Sequence, residues 1–271
     1  MKLVTNDLYE NKSHLDDWEK LRQFTDARIA IGRAGCSIPT NAMLDFQLAH
    51  AQARDAVYQN LNIDNIQQSL VKLGLHSLMV HSQAINKEEY LKRPDLGRLL
   101  SEDSKTMLLN YTKSNQEKYD VCIVMGDGLS ALAIEENAVA FIQSMKEQIE
   151  TKQWKLAPII IAEGSRVALG DPIAEIFKAK MLIMLIGERP GLSSPDSMGI
   201  YYTWDAKSGS LDSKRNCISN VRPAGLSIPI ATQRLIHLMQ KSFELKLSGV
   251  NLKDDHVIEK IQHQTSPKQL F

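Results

Sequence analysis

Cysteine is scarce here: only Cys36, Cys122 and Cys217 occur in 271 residues. The number is odd and no pair shows metal-ligand spacing, which argues against both a disulfide framework and a zinc site. A reducing cytosol is the compartment this implies. Charge of one sign is also missing, because Lys+Arg and Asp+Glu are both 32 and the formal net charge is zero. Long-range attraction to nucleic acid or to an anionic membrane is therefore not expected. No apolar run approaches the length of a membrane span. The stretch MKLVTNDLYENKSHLDDWEK lacks the apolar core of a secretory signal. Internal repeats are absent, as are G-x-S-x-G, a Cys/His hydrolase pattern and the Asp-x-His-x-x-Gly signature of enzymes that give a histidine to cobalt. The seven histidines are scattered.

What is present is ordinary globular composition, 43% apolar and 24% charged, in a chain long enough for a sizeable core. Residues 1–25 form a polar arm in which Leu15, Trp18 and Leu21 fall at helical spacing. Residues 26–118 read as a mainly helical region. It opens with a short strand and Gly-rich turn in RIAIGRAGCSIPT, and Thr40 is the expected cap of the helix that follows. Phe46, Ala49, Ala53 and Val57 make that helix's apolar stripe. A Pro-Asp turn near residue 94 breaks the pattern, and Ser101 caps a new helix.

From residue 119 the texture changes. YDVCIVMG, APIIIAEG and MLIMLIG are short apolar runs bounded by glycine, as buried strands are. Helical patterns separate them. Strand–helix–strand–helix–strand implies parallel pairing with right-handed crossovers. The expected fold is therefore α/β: a mainly helical N-terminal region, then a Rossmann-like parallel-sheet domain over 119–255. Residues 226–247 close it as a helix, and 256–271 read as a polar tail.

In such sheets ligands meet the loops beyond the carboxyl ends of the strands. Here those loops are GDGLS, EGSRVALGD and GERPGLSSPDSMG. The last begins a stretch of about thirty residues without a helix signal. A loop that long in a compact domain is usually functional or disordered, and Tyr201, Tyr202 and Trp204 argue against disorder. Glu163, Asp171, Glu188, Arg189 and Asp196 cluster at these strand ends with Ser165, Ser193 and Ser194. RNCISNVRP adds Arg215, Asn216, Asn220 and Arg222. Gly126-Asp127-Gly128-Leu129-Ser130-Ala131 matches the G-x-G-x-x-G/A nucleotide fingerprint. Asp127, however, puts a negative charge where a phosphate would sit, so a tight strand-to-helix turn is the better reading. An autonomous nucleotide-dependent oxidoreductase is the alternative this motif leaves open.

Seven stretches, in order, carry a resemblance over about residues 25–255: RIAIGRAGCSIPT, DFQLAHAQARDAV, YLKRPDLGR, VMGDGLSALAIEENA, RVALGDPIAE, MLIGERPGLSSPDSMGIYYTW and RNCISNVRPAGL. The chain resembles the small (light, beta) subunit of ethanolamine ammonia-lyase. The resemblance implies an adenosylcobalamin-dependent radical enzyme that converts ethanolamine to acetaldehyde and ammonia. It implies a large partner subunit that carries the substrate and its catalytic groups, a mixed oligomer of large and small chains, and a corrin held between the two. The family's cobalamin contacts fall on Val167, Glu188 and Cys217, with no catalytic residue and no metal ligand on this chain. An apolar contact suits the corrin face, and a carboxylate acceptor suits its fringe of amides. Residence in a bacterial microcompartment follows from the same resemblance, with residues 1–25 as its address.

Overall fold

A computed structural model describes residues 17–254 together with Ser13 and His14. The polar tail and most of the first sixteen residues lie outside the described residues. Strand β1 (Ser13–His14) pairs antiparallel with β2 (Arg33–Ala34). Then follow α1 (Thr40–Tyr58), α2 (Ile63–Lys72), β3 (Ser77–His81), α3 (Lys87–Lys92) and α4 (Glu102–Ser114). The second half holds β4 (Val121–Gly126), α5 (Ala131–Thr151), β5 (Ile159–Glu163), α6 (Gly170–Phe177), β6 (Met181–Gly187), β7 (Met198–Trp204), β8 (Arg215–Val221) and α7 (Ile228–Leu245).

Capping chemistry starts many of these helices. Asn62, Asn86, Ser101 and Ser130 each accept a backbone N–H three residues on with the side-chain oxygen, which satisfies a donor the helix cannot. Helix α1 differs from expectation. Thr40 is its first residue, Pro39 stands at the cap position, and no side chain caps it. Its buried stripe is Ala49, Ala53 and Ala56, while Phe46 is exposed beside Met43, Leu44 and Leu48.

One six-stranded sheet organises the molecule, in the order β3-β5-β4-β6-β7-β8. β3, β5, β4 and β6 are parallel, whereas β7 and β8 add on antiparallel. The strands alternate their side chains between two cores. Ile123, Met125, Ile161 and Ile183 pack under α2, α5 and α7. Cys122, Val124, Ile160 and Met184 pack under α4 and α6. Burial on both faces is why β4, β5 and β6 read as unbroken apolar runs. Each fully buried aliphatic side chain contributes roughly 1.5–3 kcal/mol against leaving it in water.

Two expectations are corrected. The helical pattern of 62–118 contains a strand, β3, whose Val80 is buried at the edge of the sheet. The long polar loop after β6 is interrupted by two strands. Only residues 188–197 and 205–214 connect the meander β6–β7–β8, and Cys217 lies on a strand rather than at a loop's end. No helix among the described residues is long and apolar enough to cross a membrane.

Candidate functional site

The chain leaves β4 through α5 on one face and leaves β5 through α6 on the other. The loops following the neighbouring strands β4 and β5 therefore part from each other at the carboxyl edge, which makes a topological switch point. The backbone there is tightly built. Gly128 has φ +55°, and a Cβ on Gly187 would lie 2.0 Å from the Ser130 carbonyl oxygen. Leu129 N–H donates to the Gly187 carbonyl at 2.9 Å. A crevice of about 280 Å³ opens here, lined by Tyr90, Leu129, Arg166, Val167, Glu188, Arg189 and Tyr201 among others. A second cleft of about 690 Å³ adjoins it, lined by Arg98, Arg166, Val167, Ala168, Tyr201 and Cys217 among others. Arg166, Val167 and Tyr201 belong to both.

All three expected contact residues thus face one continuous concavity. Val167 starts the 3-10 turn Val167–Leu169 that leads into α6 and stands where the two clefts meet. Glu188 directly follows β6, with Oε2 accepting from Ser197 Oγ (2.6 Å) and the Asn220 N–H (3.3 Å) and Oε1 from Ser219 Oγ (2.6 Å). It ties the β6–β7 connection to β8. Gly199 makes room for it, since a Cβ there would be 2.8 Å from Oε1. A larger concavity of about 860 Å³ lies elsewhere, between residues 22–46 and Leu192, Ser193 and Arg222, and holds none of the three.

A second carboxylate joins the loops. Asp127 Oδ1 accepts from the Gly128 and Ser165 N–H groups, both at 2.9 Å. Its Oδ2 pairs with Lys87 Nζ at 3.4 Å, and Lys87 also donates to the Gly128 carbonyl at 3.0 Å. The backbone N–H groups of Asp127, Gly128 and Leu129 are all engaged within the protein, and the turn has a structural role. The dinucleotide reading finds no support here.

Other polar residues grouped at this edge from sequence turn out to be ties. Asp171 points inward and takes two 2.7 Å bonds from Arg215. Asn216 holds the 249–252 turn, Arg222 meets Asp196 at 3.5 Å, and Glu163 meets His81 at 3.1 Å. Sequence reasoning missed Tyr201 and Arg166 as lining residues. Arg166 is adjacent to Val167, but nothing in its spacing marks it.

The described cysteines are free, with Cys122 buried and Cys36 and Cys217 exposed. Desolvation against its neighbours raises the Cys217 thiol above the ordinary thiol value, with the Glu188 charge adding to it and a hydrogen bond with Tyr201 opposing. The thiolate, not the thiol, is the nucleophile. Cys217 is therefore expected to react slowly with iodoacetamide at neutral pH and to speed up only as pH passes above the ordinary thiol range. Peptide mass spectrometry of alkylation against pH reads this directly; a thiolate already formed at pH 7 would contradict it. Burial pushes Cys122 up to about 12, and it should not react in the folded chain. Among the described residues, no group of three or more His, Cys, Asp and Glu could hold a metal ion.

The fold and the concavity define an α/β chain with a switch-point crevice at the carboxyl edge of its sheet. The family model for the ethanolamine ammonia-lyase light chain (EutC) matches residues 15–253. The chain is 49% identical over 245 residues to the ethanolamine ammonia-lyase small subunit of Pseudomonas fluorescens (strain SBW25), covering 90% of this chain and 88% of that one. It is 47% identical over 258 residues to the small subunit of Pseudomonas aeruginosa (strain UCBPP-PA14), covering 93% and 94%. Against that of Pseudomonas syringae pv. tomato it is 45% identical over 261 residues, covering 96% and 91%. This chain belongs to the ethanolamine ammonia-lyase light-chain family.

Proposed function

We propose that this chain is the small subunit of an adenosylcobalamin-dependent ethanolamine ammonia-lyase, and that its sheet edge holds one side of the corrin against a large partner subunit. The observation that carries this is the meeting of Val167, Glu188 and Cys217 around one concavity at the switch point. The residues suit the group. Val167, Ala168 and the Tyr201 ring offer an apolar wall for a ring face. A carboxylate has about four lone-pair sites. Three hydrogen bonds engage Glu188, so capacity remains for an amide N–H on the corrin's rim. Cys217, a neutral thiol, is a small soft contact at the far side.

When bound, the cofactor supplies a radical by homolysis of its cobalt–carbon bond. This chain's part is to bind, orient and exclude water, and the groups that handle ethanolamine belong to the large chain. The exposed Met43, Leu44, Phe46 and Leu48 of α1 support a partner of that kind, since several large apolar side chains left uncovered on one helix suit an association site. A microcompartment location with residues 1–25 as address is part of the same proposal, and rests on the family and the arm's helical spacing.

Glu188→Gln and Glu188→Ala test the reading. Loss of a charged acceptor is expected to weaken adenosylcobalamin binding by about 1–3 kcal/mol, or roughly five- to 150-fold. Spectrophotometric titration of the assembled two-chain complex measures it. Unchanged affinity in both variants would remove Glu188 from the site.

A further inference from the structure

Arg166 stands out along the concavity because, among the described residues, no carboxylate meets it and its Nε is nonetheless buried. Its neighbours in the clefts are all engaged. Asp95 is bound by Arg93 at 2.6 Å, and Asp212 by Arg215 at 3.2 Å and Arg98 at 3.8 Å. Glu188 takes two hydroxyls and a backbone N–H. Arg166 instead lies over the Tyr90 ring, 4.5 Å from its centroid, and its Nε is buried with no acceptor.

The support beneath it is rigid. Tyr90 is fully buried, and its hydroxyl donates to the Ser165 carbonyl at 3.0 Å. The Arg166 N–H donates to the Gly97 carbonyl at 2.8 Å, and Gly97 packs so closely that a Cβ there would sit 2.9 Å from Tyr90 Cε2 and 3.0 Å from Arg166 Cγ. A guanidinium fixed on an aromatic face, without a counter-charge and shared by two clefts, is a fork held ready for an anion.

We infer that Arg166 is a phosphodiester-binding residue, and that it takes the one anionic group of the cofactor, the phosphodiester of its nucleotide loop. The inference rests on the corrin reading above and extends it to a residue whose role is electrostatic rather than one of shape. A phosphodiester offers two charged oxygens to a planar fork. The chain's zero net charge gives no long-range pull toward anions, so this recognition is local and weakens as salt screens it.

Two corrinoids isolate the anion. Cobinamide lacks the nucleotide loop and its phosphate, whereas cobinamide phosphate carries a phosphate monoester at the end of the same aminopropanol arm. The assembled complex is titrated with each in phosphate-free buffer, for the unaltered chain, Arg166→Lys and Arg166→Gln. The unaltered complex is expected to prefer cobinamide phosphate by about tenfold or more, the scale of one charge-assisted hydrogen-bond pair. Arg166→Gln should lose that preference, so that its affinities for the two corrinoids become equal, and an unchanged circular dichroism spectrum shows that the variant is folded. Arg166→Lys should keep part of the preference, and added salt should shrink it both in the unaltered complex and in Arg166→Lys. Equal preference in the unaltered complex and Arg166→Gln overturns the assignment, as does a matched loss for both ligands. Failure of the unaltered complex to bind either corrinoid overturns the corrin reading itself, and this inference with it.

Discussion

Arg215→Met alone is expected to destabilise the folded chain by about 3–5 kcal/mol, the scale for breaking a buried ion pair from one side. Both partners are out of water: the Arg215 and Asp171 side chains are 3% and 2% exposed. The guanidinium fork meets both carboxylate oxygens at 2.7 Å and also reaches the Ser210 carbonyl at 3.1 Å. It fastens the 205–214 connection and β8 to α6. Coulomb attraction in a dry setting and the cost of desolvating both ions nearly cancel while the pair is intact. Removing one ion leaves only the cost.

Two further results follow from that cancellation. Asp171→Leu combined with Arg215→Met should recover most of the loss, because neither charge is then left alone. The single variant should also show its own pH dependence. Burial pushes the Asp171 carboxyl above its ordinary value, with Arg215 opposing. With Arg215 gone the opposition goes, and the folded-state value rises further above the unfolded one. A raised folded value means that the folded chain holds the extra proton. Stability is then fully present below the unfolded value, near pH 4, and is lost as pH rises toward the new folded value. The deficit of Arg215→Met should therefore be smallest in mild acid and largest at neutral pH. Urea midpoints for the three chains at two pH values decide it. A single variant within about 1 kcal/mol of the unaltered chain, the size of an exposed pair, would mean the pair is not dry.

Gly187→Ala should do comparable damage by a different route. The added methyl would lie 2.0 Å from the Ser130 oxygen and 2.6 Å from the Asp127 oxygen. Both are backbone atoms in the turn that opens α5, so neither can swing aside. Gly126→Ala is the control. Its methyl would meet Ser165 Oγ at 2.1 Å and Met184 Cε at 2.6 Å, which are side-chain atoms able to give way. Overpacking that side chains relieve costs about 1–3 kcal/mol. A clash between backbones at the crevice should exceed that range. Equal unfolding free energies for the two variants would show that the turn yields, and with it the switch-point geometry.

Much of this fold was legible before any coordinates. VCIVMG, IIIAE and MLIMLIG announce themselves because a parallel strand buried on both faces has no polar side to show. Ser101 and the Pro94 break marked the start of α4 through local chemistry. β3 was hidden, since SLMVH is a five-residue edge strand set among helical patterns. β7 was hidden for another reason. Alternation of strands and helices had been established, and MGIYYTW returns antiparallel with no helix before it. The site was less legible. Val167, Glu188 and Cys217 are separated by 21 and 29 positions, and only the crossover through α6 and the antiparallel meander β6–β7–β8 bring them together. The family resemblance named them, while spacing alone did not. Arg166 and Tyr201 had no local signature, because what distinguishes them is what surrounds them.

The Asp127 carboxylate, joined at once to the β4 turn, the loop after β5 and Lys87 at the head of α3, has a consequence for how a ligand is received. Chain segments that would otherwise have to be frozen on arrival are already held still. The loss of conformational freedom that usually opposes association is met during folding instead, where the whole core offsets it. What remains to be ordered at this edge is a few side chains. A wall of that kind suits a large, stiff, planar guest, which gains little from a surface that must first find its shape.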